Sequence, residues 1–340
     1  MHLKKANLFV TVTAIIGVGY LTADAQSLAT LYSINGTDGQ LPSAALVQGT
    51  DGNFYGTTAA GGGHHHGTVF KIDSAGNLTT LHSFSGFPLD GAAPTAGLVQ
   101  GADGNFYGTT ASGGLFYQGT VFRMTPAGKL TLRHSFNGFM GEGAIPTAGL
   151  VQGNDGNFYG TTASGGAHYR GTVFKITSLG ILTTLHWFGD SSGDGAGPVA
   201  GLVQGSDGNF YGTTASGGTS YQGTVFRITP AGAVTVLHSF SASTTEGAAP
   251  VARMVQGSDG NFYGTTAIGG MHYQDTVFNI DSTGNSTTLH SLSGSPNEGA
   301  GPLAGLALGS DGNFHGSTAA GCAHYRGTVF SLSLTAAPAL

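Results

Sequence analysis

The sequence predicts an all-β fold: a six-bladed β-propeller of 52-residue blades with four strands each, closed into a ring by an N-terminal strand. The motif Asp-Gly-Asn-Phe-Tyr-Gly-Thr-Thr occurs in six copies, some with small changes, and consecutive copies are 52 residues apart. Each repeat contains short runs rich in β-forming residues, and no apolar helical period extends over a useful length. The copies begin at Asp51, Asp103, Asp155, Asp207, Asp259 and Asp311.

The composition is typical of a folded repeat protein. Of the 340 residues, 39% are apolar, only 8% are charged and 61 are glycines, which favours tight turns and closely packed strands over disorder. Because stacked identical units form one continuous body, we expect a single domain over 26–340. The net charge of −6 is accompanied by no basic run, so nucleic acid is not an expected partner.

Residues 1–25 have the pattern of a secretory signal peptide. Lys4 and Lys5 supply the positive start, 8–21 is mostly apolar, and Ala-Asp-Ala at 23–25 is a small-x-small cleavage site. The alternative, a membrane anchor, would need an apolar run of ~20 residues. We therefore expect a secreted, periplasmic or cell-surface protein without a membrane span once the leader is removed. The single cysteine, Cys322, cannot form a disulfide within the chain.

The repeat read in chain order gives a four-stranded antiparallel meander. Asp103-Gly104 marks the hairpin between the first two strands, because Asp-Gly favours the tight turns that join antiparallel strands. Thr125-Pro126-Ala127-Gly128 marks a second tight turn between strands three and four. The alternative, a β-solenoid, usually has shorter coils. In this repeat the predicted strands lie at 97–100, 105–111, 120–124 and 130–136. The blades are predicted to begin near 45, 97, 149, 201, 253 and 305.

The two ends of the chain predict closure of the ring. The last repeat stops after its third strand, at 328–332, whereas residues 28–34 resemble the fourth strand at 78–84. We predict that 28–34 completes the sixth blade, which would cover edges that otherwise invite aggregation.

The run over 53–62 and its copies, together with the Gly-Thr-Val-Phe strand, resemble the GloVer tandem-repeat family, secreted bacterial repeat proteins of the choice-of-anchor type. The resemblance covers nearly the whole chain after residue 25. It implies export and a repeat architecture, and it brings no catalytic residues. The chain departs from the anchored members in showing no C-terminal sorting or membrane segment.

The longer loops of each blade form the candidate binding face, because function on a rigid scaffold usually resides in its longer loops. The loop between strands two and three carries an aromatic residue at one register, with polar residues beside it. Aromatic rings can pack on the C–H face of a pyranose while His and Arg reach its hydroxyls, so carbohydrate or a surface polymer is the predicted ligand. In the alternative, each ring packs on the neighbouring blade and seals the loop. The aromatic positions are His65, Tyr117, Tyr169, Tyr221, Tyr273 and Tyr325. The proposed polar partners are His168, His272, His324, Arg170 and Arg326.

An acidic residue followed by Gly recurs in the connections between blades. Six carboxylates on one face could bind calcium, which takes oxygen ligands, but each blade offers only one. The favoured interpretation is that each acid accepts backbone N–H groups in its own turn. We therefore expect no cofactor, with calcium as the open alternative. The acids are Asp38, Asp90, Glu142, Asp194, Glu246 and Glu298.

Histidines recur on the fourth strands, where packing or hydrogen bonding is favoured over metal binding because the outer strands of different blades lie far apart. The cluster at 64–66 is a weaker metal candidate, since consecutive loop residues seldom converge on one ion. No metal site is predicted. The recurring histidines are His82, His134, His186, His238 and His290, with Tyr32 in the sixth place.

No catalytic constellation is recognisable in the sequence. Asp275 and His315 depart from their repeat positions without an obvious partner, and the common nucleophile, metal and phosphate-binding motifs are absent. The predicted function is therefore a non-catalytic, monomeric binding module with no catalytic residues. Two alternatives remain: a structural or protein-interaction propeller, and a polysaccharide lyase or hydrolase with acid and base residues on different blades.

Overall fold

The computed structural model describes residues 30–88, 90–139, 141–272, 274–295, 298–321 and 327–334. Over these residues the protein is all-β, without a helix, and successive antiparallel sheets form the six-bladed propeller predicted from the repeat. The predicted leader at 1–25 lies outside the described ranges. Within them, we find no helix with the length and apolar character of a membrane span.

Five sheets have four strands in the order one-two-three-four, and the sixth has three strands over the described residues. The first strands of blades one to six are Val47–Gln48, Val99–Gln100, Val151–Gln152, Val203–Gln204, Val255–Gln256 and Ala307–Leu308. The second strands are Phe54–Thr58, Phe106–Thr110, Phe158–Thr162, Phe210–Thr214, Phe262–Thr266 and Phe314–Ser317. The third strands are Thr68–Ile72, Thr120–Met124, Thr172–Ile176, Thr224–Ile228, Asp275–Ile280 and Val329–Leu332. The fourth strands are Leu78–Ser83, Leu130–Ser135, Leu182–Trp187, Val234–Ser239 and Ser286–Leu292.

The repeated motif builds the first hairpin of each blade. In blade four, Gly208 has a φ of 81°, a conformation that glycine adopts without strain. The carboxylate of Asp207 accepts bonds from the backbone N–H of Asn209 at 3.1 Å and from the hydroxyl of Tyr211 at 2.9 Å. One acid thus holds both the turn and the strand that follows it, which explains the motif in physical terms.

The hydrophobic core lies between the blades, in five clusters of the same design. Between blades three and four, the ring of Tyr159 stacks on Phe210 with centroids 3.9 Å apart. Phe188 meets Phe226 edge to face at 5.1 Å, and Leu202 is buried in the same cluster. Aromatic pairs in these geometries contribute about 0.5–1.5 kcal/mol each beyond their buried area. The propeller is therefore stabilised mainly by contacts between neighbouring blades.

Among the described residues, no cluster of this design joins blade six to blade one. Val329 of blade six is 85% exposed and Leu46 of blade one is 50% exposed, whereas Val225 and Leu202 are buried at the same repeat positions. The Tyr–Phe stack found at five interfaces has no counterpart between His315 and Phe54 among the described ring contacts. An interface between blade six and blade one, the sixth of the ring, would bury the two faces that carry Val329 and Leu46.

The closing strand predicted over 28–34 is not formed over its described residues 30–34, which belong to no strand. Residues 28 and 29 lie outside the described part. The segment does lie beside blade one, where the fourth strand of a preceding blade would lie: the carbonyl of Leu31 approaches Gly76, as the carbonyl of Leu237 in the fourth strand of blade four approaches Gly284 of blade five. The hydroxyl of Tyr32 bonds to Asp38 at 2.6 Å, which holds the segment beside blade one. Closure of the ring by 28–34 stays a prediction.

The long loops of neighbouring blades are joined into one surface, which we call the loop face; it comprises the loops between strands two and three and the connections between blades. Each connection forms a two-residue ladder with the loop of the next blade, as Gly195–Ala196 does with Ser216–Gly217. The backbone N–H of Gly197 also bonds to the carbonyl of Arg170, at 2.8 Å, in the loop of the preceding blade. The opposite side, the turn face, carries the tight turns. The loops are thus held by backbone bonds to both neighbours.

Candidate functional site

The aromatic residues at the loop tips share an unusual backbone conformation. All four that are described have positive φ: 62° at His65, 60° at Tyr117, 56° at Tyr169 and 60° at Tyr221. For residues other than glycine the left-handed region costs about 1 kcal/mol or more, and such strain is concentrated at functional sites. Tyr273, Tyr325, His324 and Arg326 lie outside the described residues, and His272 is exposed.

The loop rings face solvent. Tyr169 and Tyr221 are both 71% exposed and Tyr117 is 60% exposed, which argues against the sealing role considered as an alternative. Tyr117 alone makes a described ring contact, a parallel stack on the exposed Phe87 with centroids 4.5 Å apart. The rings of Tyr169 and Tyr221 are therefore open platforms on the loop face.

The recurring histidines and the recurring acids form pairs, a relation that the sequence analysis missed. His82 Nε2 lies 2.7 Å from a carboxylate oxygen of Asp90, and the partners are eight residues apart in every pair. That constant spacing is the signal that could have revealed the pairing. The other pairs are His134–Glu142, His186–Asp194, His238–Glu246 and His290–Glu298.

The paired acids also hold the backbone of their own connections. Asp194 accepts bonds from the backbone N–H of Gly189 at 2.8 Å and of Gly195 at 2.9 Å. Burial raises the pKa of Asp194, but its bonds to His186 and to these N–H groups outweigh burial, and the net effect is a lowered pKa. The oxygens are thus engaged in structural bonds, which favours the turn role over calcium. No group of three potential metal ligands occurs among the residues that the structure describes.

Blade three departs from the other blades at three positions on the loop face. Trp187 replaces a serine that blades one, two, four and five share. Gly189 replaces Ser or Asn of those blades, and Asp190 replaces Gly or Ala. Gly189 has a φ of 97°, whereas in the other blades the next position has positive φ. Asp190 is therefore relieved of the left-handed conformation and can carry a functional side chain. The sequence analysis did not single out these three residues, although comparison of the aligned repeats reveals them.

These substitutions border a polar cleft of ≈ 300 Å³ between the loops of blades three and four. Asp190 and Tyr221 both line it, and Asp190 Oδ1 lies 2.8 Å from His168 Nε2. The stem of Arg170 covers Gly189, where a Cβ would overlap Cδ of the arginine. We call this the blade-three cleft, and its lining residues include Arg170, Asp190, Ser191, Ser192, Asp194 and Tyr221.

The blade-three cleft combines the chemistry that binds polyhydroxylated ligands. Asp190 can accept hydrogen bonds, and Arg170, which has no ion pair within the described ranges, can donate several. The exposed ring of Tyr221 adds an apolar platform at the rim. Four of the predicted ligand-binding residues, His168, Tyr169, Arg170 and Tyr221, thus lie in or beside one surface region, although Tyr169 does not line the cleft.

The two residues that break the repeat elsewhere have structural partners. Asp275 is buried and accepts a 2.6 Å bond from the backbone N–H of Gly301, in place of the backbone carbonyl used in the other blades. Burial raises the pKa of Asp275 to about 6, against the opposing effect of this bond. His315 pairs with Asp311 at 3.4 Å, where the other blades pair Tyr with Asp.

Comparisons with known proteins agree with this fold. The sequence model of the Gloeobacter/Verrucomicrobia repeat matches residues 17–204 and 180–337. No curated protein matches the sequence. Among solved structures, the chain is similar to a structural-genomics protein of unknown function from Bacteroides thetaiotaomicron, with 16% identity, a TM-score of 0.50, and coverage of 86% of this chain and 69% of that one.

Two further structures have a comparable likeness. A provisionally assigned 6-phosphogluconolactonase from Bacteroides fragilis has 20% identity and a TM-score of 0.50, over 85% of this chain and 80% of that one. The extracellular domain of a provisionally assigned hybrid two-component system from B. thetaiotaomicron has 12% identity and a TM-score of 0.52, over 84% of this chain. The chain spans only 33% of that protein. At these identities the likeness concerns the fold alone.

Proposed function

The chain belongs to the Gloeobacter/Verrucomicrobia repeat family, and we propose that this member is an exported, non-catalytic binding protein that recognises carbohydrate through the loop face of its propeller. The ligand is an extracellular glycan or a surface polymer. The observation that carries the proposal is the exposure of Tyr169 and Tyr221 at positive φ.

Both properties of these tyrosines favour a ligand over a structural role. A turn that needs positive φ is formed at least cost by Gly or Asn, so a tyrosine there is retained against local stability. A ring that is 71% exposed also gains little from burial. Contact with a ligand supplies the missing stabilisation, because a pyranose packs its C–H face on such a ring.

The repetition of the loops adds avidity. Aromatic residues at the same register in several blades can engage several units of one polymer, and linked sites bind far more tightly than one site alone. The leader-like pattern at 1–25 supports export to a compartment in which such polymers occur. One of the structures with a similar fold is itself an extracellular domain.

A protein partner is the second candidate, because blade two carries an apolar patch on the loop face. Leu115 and Phe116 are exposed beside the stacked pair of Tyr117 and Phe87, and Phe139 is exposed in the next connection. Exposed apolar groups gathered in this way are typical of protein-binding surfaces. This candidate predicts binding that depends on Phe116 and Phe139 and is insensitive to free sugars.

A glycan array probed with the chain from residue 26 onward tests the proposal, with calcium and with a chelator in parallel. We expect specific binding that falls by roughly tenfold or more in the double variant Tyr169→Ala/Tyr221→Ala, a loss of about 1.4 kcal/mol. The matched control is Leu179→Ala/Ile181→Ala, which removes two exposed apolar side chains from the turn face and should bind as the unaltered protein does.

Two results would decide against the proposal. Equal binding by the loop-face and turn-face variants would remove the tyrosines from the site. A blank array in both buffers would favour the protein-binding candidate. Loss of binding under chelation alone would instead return the acidic residues to consideration as calcium ligands.

A further inference from the structure

The six loops are not equivalent, and the difference is concentrated in blade three. The chain has one tryptophan, Trp187, which is partly exposed in this blade and donates to the carbonyl of Gly141. Asp190 follows it by three residues, and the side chain of Arg170, which has no ion pair among the described residues, lies over Gly189, two residues after the tryptophan. Binding by avidity needs only the loop residues that the blades share, so it does not explain why blade three differs from the others. The different residues of blade three therefore point to a separate site.

We propose that the blade-three cleft is the principal sugar site and that it takes one neutral pyranose through a pair of adjacent hydroxyls, with Asp190 as acceptor and Arg170 as donor. The ring of Tyr221 packs on the apolar face of the sugar. This inference rests on the proposed function and adds the site and the class of ligand. In this proposal the other loop tyrosines have a secondary role, in which they contact further units of the same polymer.

Asp190 is positioned by two independent contacts. Its side chain bonds to His168 at 2.8 Å, and its backbone N–H points to the carboxylate of Asp194 at 3.4 Å. Asp194 is buried and also holds Gly189 and Gly195, so the turn that presents Asp190 is fixed from below. One oxygen of Asp190 is engaged by His168, while the other has no described partner and is available to a ligand hydroxyl.

Arg170 is anchored without being neutralised. Its carbonyl accepts the N–H of Gly197, and its stem lies over Gly189, yet its guanidinium has no ion pair or hydrogen bond among the residues described. A guanidinium presents several N–H groups in a fixed plane, which suits two neighbouring oxygens on one ligand. Blades two, four and five carry glutamine at this position, so the guanidinium is a distinctive feature of this cleft among them.

Charge and size both indicate a neutral, single sugar unit. The lining contains two carboxylates, Asp190 and Asp194, and one guanidinium, Arg170, so a sugar carboxylate would meet a net negative charge. A pair of hydroxyls can instead donate to Asp190 and accept from Arg170 at once. The cleft of ≈ 300 Å³ is at the lower end of the roughly 300–1,000 Å³ typical of ligand pockets. One pyranose fills such a space, with the chain of a polymer leaving along the loop face.

The single tryptophan makes the site directly observable. Trp187 lies against Gly166 of the blade-three loop and Gly141 of the connection that precedes blade three, two residues from Gly189, so its fluorescence reports on this part of the loop face. We would titrate the protein with glucose, galactose, mannose and glucuronate, follow Trp187 emission, and measure the same affinities by calorimetry. We expect saturable changes with at least one neutral hexose and affinity at least tenfold weaker for glucuronate.

The test variants restore what the other blades carry, so they should fold. Asp190→Gly reproduces the residue of blades one, two and five, and Arg170→Gln reproduces that of blades two, four and five. Each should weaken hexose binding by tenfold or more. Gln118→Ala, the blade-two position that matches Arg170, should leave the affinity within twofold of that of the unaltered protein.

The outcomes separate this inference from the function on which it rests. Hexose or glycan binding that survives Asp190→Gly and Arg170→Gln but is lost in Tyr169→Ala/Tyr221→Ala would overturn the blade-three site and retain the loop face. Tighter binding of glucuronate than of any hexose would overturn the neutral class. Binding unaffected by all of these variants would overturn both proposals.

Discussion

Each regular blade contains two tyrosines ten residues apart, and their environments are opposite. Tyr159 lies in the second strand of blade three, buried against Phe210, with its hydroxyl 2.7 Å from Asp155. Tyr169 lies in the loop that follows, exposed and at positive φ. The same pair recurs as Tyr107 and Tyr117 in blade two and as Tyr211 and Tyr221 in blade four.

The two tyrosines show which repeated residues stabilise the fold and which do not. The strand tyrosine gains burial, a stack and a hydrogen bond, so the fold alone explains it. The loop tyrosine gains none of these and costs backbone strain, so the fold does not explain it. Repetition along the chain is therefore no guide to which residues are structural, whereas exposure and backbone conformation are.

The largest expected effect concerns the strand tyrosine. Tyr159→Ala should lower the free energy of unfolding by about 3–5 kcal/mol, since it leaves a cavity and removes the stack on Phe210. Urea unfolding followed by circular dichroism measures it. Tyr159→Phe keeps the ring and should cost only about 1 kcal/mol, for the lost bond to Asp155. A loss below about 1.5 kcal/mol in the alanine variant would contradict the division between the two tyrosines.

Asp275, buried beneath the loop of blade five, should produce the next largest effect. Its folded-state pKa of about 6 exceeds its ordinary value of 3.8, so the folded protein holds this proton more tightly than the unfolded chain does. The stability associated with that proton is complete below about pH 4 and is lost as the pH rises to about 6, by at most about 3 kcal/mol.

Unfolding free energies of Asp275→Asn, measured between pH 4 and 7, should therefore lack this decline. Asp275→Gly, which restores the residue of the other blades, serves as the control and should also lack it. A decline of equal size in both variants would assign it to other groups.

Asp194, which holds the connection of blade three, should have an intermediate effect of opposite pH sign. Because its pKa is lowered on folding, its stabilisation is present above the unfolded-state pKa and is lost as the pH falls through the lower folded-state value. Asp194→Asn should cost about 1.5–3 kcal/mol at pH 7. Acid titration of both proteins by fluorescence tests this expectation: the difference should shrink below about pH 4. The matched control is Asp38→Asn at a half-buried position, where the carboxylate bonds to Tyr32 and has no histidine partner among the described residues; it should change stability by under about 1 kcal/mol.

The smallest expected effect on stability concerns the loop tyrosine. Tyr169→Gly removes the strain at a φ of 56° and should change stability by no more than about 1 kcal/mol, in the stabilising direction. Glycan binding by the same variant should fall. A loss of stability as large as that of Tyr159→Ala would show that the loop tyrosine is structural after all.

The strands and turns of each blade were predicted well because they depend on residues that are close together in the sequence. Turn residues such as Asp103-Gly104 and the β-rich runs on either side of them specify a hairpin on their own, and the two strands of the structure lie within the predicted ranges. The register of each blade follows from the same local signals. Family membership was also predictable, since the motif that builds the hairpin is the one shared by the family.

The candidate site was predictable only in part. Sequence spacing indicated an aromatic register on the long loops but could not tell a sealing ring from an exposed one, because both leave the same residue at the same position. The pairing of His186 with Asp194 depends on how a connection folds back over its own blade, and the constant spacing of eight residues indicates it only when the recurring histidines and acids are considered together. Asp190 is a departure from the other repeats, so a pattern that the repeats share does not reveal it.

The described residues of blades one and six are less completely packed than those of the blades between them. Val329 and Leu46 are exposed there, whereas the same repeat positions in blades two to five are buried. Regions with fewer buried apolar contacts open locally at a lower free energy than the rest of a protein. We therefore expect amide hydrogen exchange to be faster around these two residues than in blades three and four, whose loops line the blade-three cleft. Local opening at blades one and six then leaves the geometry of the cleft undisturbed.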